Sequence, residues 1–224
     1  YSENRLNNFI IESDFEKIYT EENQNKYCCY QIFAIISRIW DKFKGEMELL
    51  KYTVDASHSS IGFEVKHMMV SKVKGTFDEY TADVQATDLA DLTTANISFE
   101  VKAGSVNTRN ADRDGHLRSP DFFDVDNFEN ISFNSTSISG AGDEFNVTGD
   151  LTIKDVTKPV TFKVEYGGKG TNPWGAEVYG FEAETKVNRE EFGLTWNAAL
   201  ETGGVLVGKD IKIKVELELS PVAE

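Results

Sequence analysis

A chain of 224 residues has room for one large domain, or for a domain with an appendage, and 40% hydrophobic and 12% aromatic content allows a well-buried core. Disorder of the whole is excluded on that composition. With 23 basic against 38 acidic residues the formal net charge is −15, which repels nucleic-acid phosphates and anionic membrane surfaces, and no basic run in the sequence overturns this.

Residues 1–46 come first and differ in composition from the rest. They are polar, contain no proline, and carry both cysteines, Cys28 and Cys29, side by side. A disulfide framework is therefore not expected, which fits a reducing compartment. Nothing here reads as a signal peptide. The apolar stretch from Cys28 to Trp40 is interrupted by Gln31, Ser37 and Arg38, too short and too polar to span a bilayer. A soluble, cytoplasmic protein without stable membrane insertion is the expectation. Tyr30, Phe33, Ala34, Ile36 and Trp40, and likewise Ile32, Ile35 and Ile39, have helical spacing and predict a helix over about 27–43. A second reading makes this segment a non-native upstream piece. Met47 stands before Glu48-Leu49-Leu50-Lys51-Tyr52 like a natural start, and Lys44-Gly45-Glu46 is what a purine-rich ribosome-binding sequence would encode. Either way the boundary falls at 46/47, and residues 47–224 form the main domain.

From residue 51 the hydrophobic period becomes two, as a strand requires, because successive side chains point to opposite faces. Ile61-Phe63-Val65, Ile97-Phe99-Val101, Phe145-Val147-Leu151-Ile153 and Val160-Phe162-Val164-Tyr166 each keep one parity. In the last strand Ile211, Ile213, Val215, Leu217 and Leu219 alternate with Lys212, Lys214, Glu216 and Glu218 without exception. Parity shifts between Val73-Gly75-Phe77 and Tyr80-Ala82-Val84, which predicts a β-bulge near Asp78-Glu79. Gly140-Ala141-Gly142-Asp143 predicts a turn between strands near 131–139 and 144–153. Gly167-Gly168-Lys169-Gly170 and Asn172-Pro173-Trp174-Gly175 predict a longer loop before a strand near 177–188. The count is about eight strands with an irregular segment from Ser105 to Asp121, which means a sandwich or a barrel.

Three runs carry a family resemblance. They are Asp55-Ala56-Ser57-His58-Ser59-Ser60-Ile61-Gly62-Phe63-Glu64-Val65-Lys66-His67, continued by Val70-Ser71-Lys72-Val73-Lys74-Gly75-Thr76-Phe77; then Ser105-Val106-Asn107-Thr108 with Arg113-Asp114-Gly115-His116-Leu117-Arg118-Ser119-Pro120-Asp121-Phe122-Phe123-Asp124; and Gly149-Asp150-Leu151-Thr152-Ile153-Lys154-Asp155-Val156-Thr157-Lys158-Pro159-Val160 with Asn188-Arg189-Glu190-Glu191-Phe192-Gly193-Leu194-Thr195-Trp196. In this order they resemble the bacterial YceI-like family over nearly all of 51–220. The resemblance implies an all-β, eight-stranded antiparallel lipocalin-like barrel with an elongated apolar pore. It implies binding of a polyisoprenoid, an isoprenoid quinone or a similar long-chain lipid; an enzymatic activity does not follow from it. Many members carry a signal peptide and are periplasmic, so that location is not carried over.

Alternation by itself reports burial, not emptiness, and leaves a packed core and a ligand-bearing lumen both open. Inward parity and the irregular segment give the ligand-binding candidates. Phe63, Val65, His67, Phe77 and Phe99 lie on the inward face, and Phe122, Phe123, Phe133 and Trp196 line the pore or merely close it. Arg113, His116 and Arg118 are placed to meet a head group or to fix a loop, and Arg189, at a strand end, is read as structural. His67 is equally readable as a satisfied structural residue. The spacing of His58, His67 and His116 matches no tight ligand motif, so no metal and no cofactor are expected. Asn-x-Ser/Thr matches at Asn96, Asn130, Asn134 and Asn146 are read as accidents of Ser/Thr-rich strands. The competing functions are a ligand-free homodimeric interaction module and an enzyme acting on an isoprenoid, with His67 as proton carrier.

Overall fold

A computed structural model describes residues 49–200 and 204–222. The expected helix over 27–43 and the proposed upstream segment lie outside the described residues. Strands form where the alternation lies: β1 Leu50–Val54, β2 Ser60–His67, β3 Ser71–Phe77, β4 Tyr80–Ala86, β5 Asn96–Lys102, β6 Val106–Asn107, β7 Asn130–Ala141, β8 Glu144–Ile153, β9 Val156–Thr171, β10 Glu177–Asn188 and β11 Val207–Pro221. The segment expected to be irregular holds an eight-residue helix, α1 Ala111–Arg118. Asn110 caps it by accepting the Arg113 N–H at 2.9 Å, and Asp112 and Asp114 sit in its first turn, where the helix dipole favours negative charge.

These strands make one antiparallel meander of eight long strands, because three of them are interrupted at one level of the sheet. β1 and β2 are one strand broken at Asp55–Ser59, β3 and β4 one broken at Asp78–Glu79, and β5 and β6 one broken at Ala103–Ser105. Backbone bonds carry the ladder across: Asp78 N–H to Ser105 O at 3.2 Å and Lys102 N–H to Glu79 O at 2.9 Å. The bulge expected at Asp78-Glu79 is the middle one of these three. β11 closes the barrel by pairing with β2 over Val207–Glu216 and with β1 over Leu219–Pro221. At the handover Asp55 N–H donates to Glu218 O and Glu218 N–H to Ser59 Oγ, both at 2.9 Å.

Closure gives the barrel two ends. At one, the β4–β5 connection folds inward, so Leu89 and Leu92 are buried with Tyr52, Ala86, Phe145, Tyr179 and Leu219. At the other lie α1, the β2–β3 and β8–β9 turns and the segment from Arg189 to β11. There Phe192 and Leu194 are buried with Phe133, Val147, Leu151, Ile153, Phe162 and Val187.

Gly149 shows how tightly the wall is fitted. Phe133 lies across it, so a Cβ on Gly149 would stand 2.5 Å from the ring and would also collide with the Asn134 carbonyl oxygen. The place of this small inward residue is filled by a neighbouring ring and is not left for a guest. Because the clash includes ladder backbone, Gly149→Ala should destabilise the barrel by about 1–3 kcal/mol. Denaturant titration should show a lower midpoint at unchanged slope.

Candidate functional site

Inward parity builds the wall of a cavity of about 220 Å³ that runs along the barrel interior. Every strand except β1 and β6 contributes carbon to it, from Ile61, Val65, Ile97, Val101, Val147, Leu151, Phe162, Ile211, Ile213 and Val215 among others. Among the described residues, two lining the cavity carry polar side chains, Ser132 and Arg189. Arg189 is 2% exposed and spends its guanidinium on backbone carbonyls: Nε donates to Gly208 O at 2.9 Å, one terminal nitrogen to Leu194 O and to Trp196 O, the other to Val207 O. Burial pushes its pKa down, against the raising effect of Glu190. Its role is to tie the segment after β10 to the start of β11.

The sequence candidates divide in two. Phe63, Val65, Phe77, Phe99, Phe122, Phe123 and Phe133 line the cavity. Phe63, Phe77 and Phe123 form a run of rings at 5.7 Å centroid spacing, and Phe133 meets Phe162 edge-on at 5.2 Å. Phe63 covers Gly75, where a Cβ would come within 2.5 Å of the ring. The other five candidates lie outside the wall. His67 is the last residue of β2, beyond the cavity, with its carbonyl accepting the Val70 N–H at 3.2 Å. His116 sits edge-on to Trp196 at 4.6 Å and to Phe122 at 5.1 Å, with Nε2 at 2.9 Å from Asp121. Trp196 therefore caps the cover from behind Phe122.

Arg113 and Arg118 are likewise turned to backbone. Arg113 Nε donates to Thr108 Oγ1 at 2.7 Å and a terminal nitrogen to Thr108 O at 2.9 Å. Arg118 reaches Gly104 O at 2.7 Å and Val106 O at 3.0 Å. Between them Asp114, 7% exposed, accepts the Thr108 N–H at 2.8 Å and the Thr108 hydroxyl. Burial raises the Asp114 pKa, but the Thr108 bonds and the Arg118 and Arg113 charges outweigh it and hold the carboxyl below its usual range. Sequence reading missed Leu92, Leu117 and Leu194, which line the cavity from connections where no periodic signal exists.

A separate cluster stands on the outer surface at the β1–β2 break. Ligating atoms of Asp55, His58 and Glu218 lie within 4.8 Å of one another. Hydrogen bonds from Ser57 and His58 hold Asp55 far below the carboxylate range, and the bond to Asp55 raises His58. These bonds brace the bend where β11 passes from β2 to β1.

Residues 52–219 match the YceI-like domain family. A UPF0312 protein of Staphylococcus aureus strain USA300 is 44% identical over 173 residues, 77% of this chain and 98% of that one. The Campylobacter jejuni YCEI protein superposes with a TM-score of 0.61 at 30% identity, over 71% of this chain and 90% of its own. A polyisoprenoid binding domain from Saccharophagus degradans shares the fold, with a TM-score of 0.57 at 13% identity over 77% of this chain and 99% of its own.

The carboxylate under α1 makes a pH-dependent prediction. Asp114→Asn should cost about 1.5–3 kcal/mol at neutral pH, the worth of hydrogen bonds to a charged group. A depressed carboxyl stabilises fully above its unfolded pKa, about 3.9, and ceases to as pH falls through its folded value. The stability gap between wild type and variant should therefore be full at pH 7 and narrow below about pH 3.9, as read from denaturant midpoints across that range.

Proposed function

We propose that this chain, which belongs to the YceI-like family, holds a long apolar lipid of the polyisoprenoid or isoprenoid-quinone kind in its lumen, as a carrier or sequestering protein. The observation that carries this is the cavity wall, carbon throughout apart from Ser132 and an Arg189 whose donors are already engaged. Eight strands enclose an interior wide enough for packed side chains or for one ligand, and here a cavity remains. The Saccharophagus degradans domain of the same fold is described as polyisoprenoid binding.

A binding role is favoured over catalysis by the same wall. Proton transfer needs a titratable group within hydrogen-bond reach of the reacting atom. Among the described residues Arg189 is the sole ionisable side chain lining the cavity, and His67, the sequence candidate for such a role, lies beyond it.

Magnitudes decide what part of the ligand is read. Each buried methylene contributes roughly 0.8 kcal/mol, whereas an exposed ion pair at the barrel end contributes about 0–1 kcal/mol. Arg113 and Arg118 have already spent donors on the protein's own carbonyls. Chain length should therefore set affinity, with a permissive head group.

Native mass spectrometry of protein purified without detergent should show a bound lipid, recoverable by extraction. In a series of isoprenoid alcohols of increasing length, wild-type affinity should rise with length. Phe63→Ala uncovers Gly75 and enlarges the cavity, so it should shift the preferred length while costing at most about 3–5 kcal/mol of apo stability. Flat responses at every length in both proteins would leave the ligand-free interaction module.

A further inference from the structure

The β2–β3 turn breaks two local rules at once. Met68 and Met69 both take left-handed backbone, at φ 52° and 62°, a pairing that hairpins usually give to Asn-Gly because side chains are disfavoured there. This strained turn also displays its side chains to solvent: Met68 is 43%, Met69 58% and Val70 85% exposed. No packing gain compensates for either departure. Val205, 36% exposed, lies alongside, since the Met68 N–H donates to Leu206 O at 2.8 Å. Together they make an apolar tip at the barrel end that carries α1. The strands behind it, through Val65 and Val207, form part of the cavity wall.

Charge identifies what the tip meets. Lys66 and Lys72 stand directly opposite each other on the outer faces of β2 and β3, just behind the turn, with Lys74 next along the same face of β3. Lys72 and Lys74 share the single carboxylate of Glu64, Lys74 at 3.9 Å, which leaves the group basic on balance. No basic patch was legible in the sequence, because these lysines are separated along the chain and meet only through strand pairing. An apolar tip backed directly by lysines fits the surface of a bilayer with anionic lipids. The hydrocarbon boundary takes Met and Val, and the headgroups take Lys.

We propose that Met68, Met69 and Val70 form a bilayer-contacting tip through which the barrel meets the membrane to exchange its lipid. The exchange rests on the lipid-holding reading, whereas the contact is measurable on the protein alone.

The test is co-flotation with vesicles of equimolar phosphatidylcholine and phosphatidylglycerol, paired with binding of geranylgeraniol delivered from cyclodextrin. The double variant Met68→Asn/Met69→Gly installs the residues the turn geometry favours, so its melting temperature should hold or rise. Its vesicle association should fall at least about tenfold, with geranylgeraniol binding unchanged. Met68→Leu/Met69→Leu should retain association, and added salt should weaken it in the wild type. Trp174→Ala, at the opposite end, should change nothing. Wild type that stays off the vesicles, a double variant that floats as well as wild type, or loss of flotation in Trp174→Ala would each overturn the tip. So would a wild-type dimer that the double variant abolishes without any vesicle association, since that makes the tip a protein contact. Loss of geranylgeraniol binding in every protein, with flotation intact, would instead remove the lipid-holding reading and leave the membrane contact.

Discussion

The structure depends on one pairing, that of β11 with both β1 and β2. An open antiparallel sheet exposes unpaired edges, and closure alone removes them. Here closure requires β11 to follow a partner that bends, so its hydrogen bonds pass from Glu216 opposite Ser60 to Leu219 opposite Val54. The handover is braced by Asp55, Ser59 and Glu218, and the next two strands break at the same level. Three aligned breaks let a continuous meander curve back on itself. The lumen is the space that this curvature leaves.

That dependence explains what the sequence could and could not say. Parity from Ile61 to Leu219 placed the wall correctly, because a half-buried strand must alternate and nothing else competes for that signal. The shift at Phe77/Tyr80 likewise revealed the middle break. Parity fails at strand ends. His67 continues the phase of Val65 yet stands beyond the cavity, since a period carries no information about where the lumen stops. Residues brought in by connections, Leu92, Leu117 and Leu194, have no period to betray them. Helix α1 was illegible for a related reason: it is eight residues long, contains Gly115, and buries only Asp114 of its own side chains. A segment of that kind has no amphipathic stripe to detect.

Two glycines of the barrel wall are covered by rings from neighbouring strands. A small inward residue such as Gly149 suggests free volume, but sequence distance hides the ring that occupies it. Phe133 on the neighbouring strand lies over Gly149, and Phe63 over Gly75, each supplying the apolar cover that the glycine lacks. Free volume in a barrel is a property of cross-strand sets and not of single positions.

The placement of the arginines follows from the same need to keep the lumen apolar. A helix as short as α1 does not hold together by itself, and it contributes to the cavity wall through Leu117. Something else must fix it over the barrel end. Asp114 grips Thr108 from beneath, Arg113 closes on the same residue, and Arg118 reaches back to Gly104 and Val106. Arg189 does the equivalent work for the segment that brings Leu194 inward. The three guanidiniums turn their donors to the backbone carbonyls of Thr108, Gly104, Val106, Leu194, Trp196, Val207 and Gly208, and so to the protein's own chain and not to the cavity. Had these tethers been apolar, they would have competed with the lumen for the same packing space. Tethers whose donors are spent on backbone carbonyls leave the cavity wall almost wholly carbon.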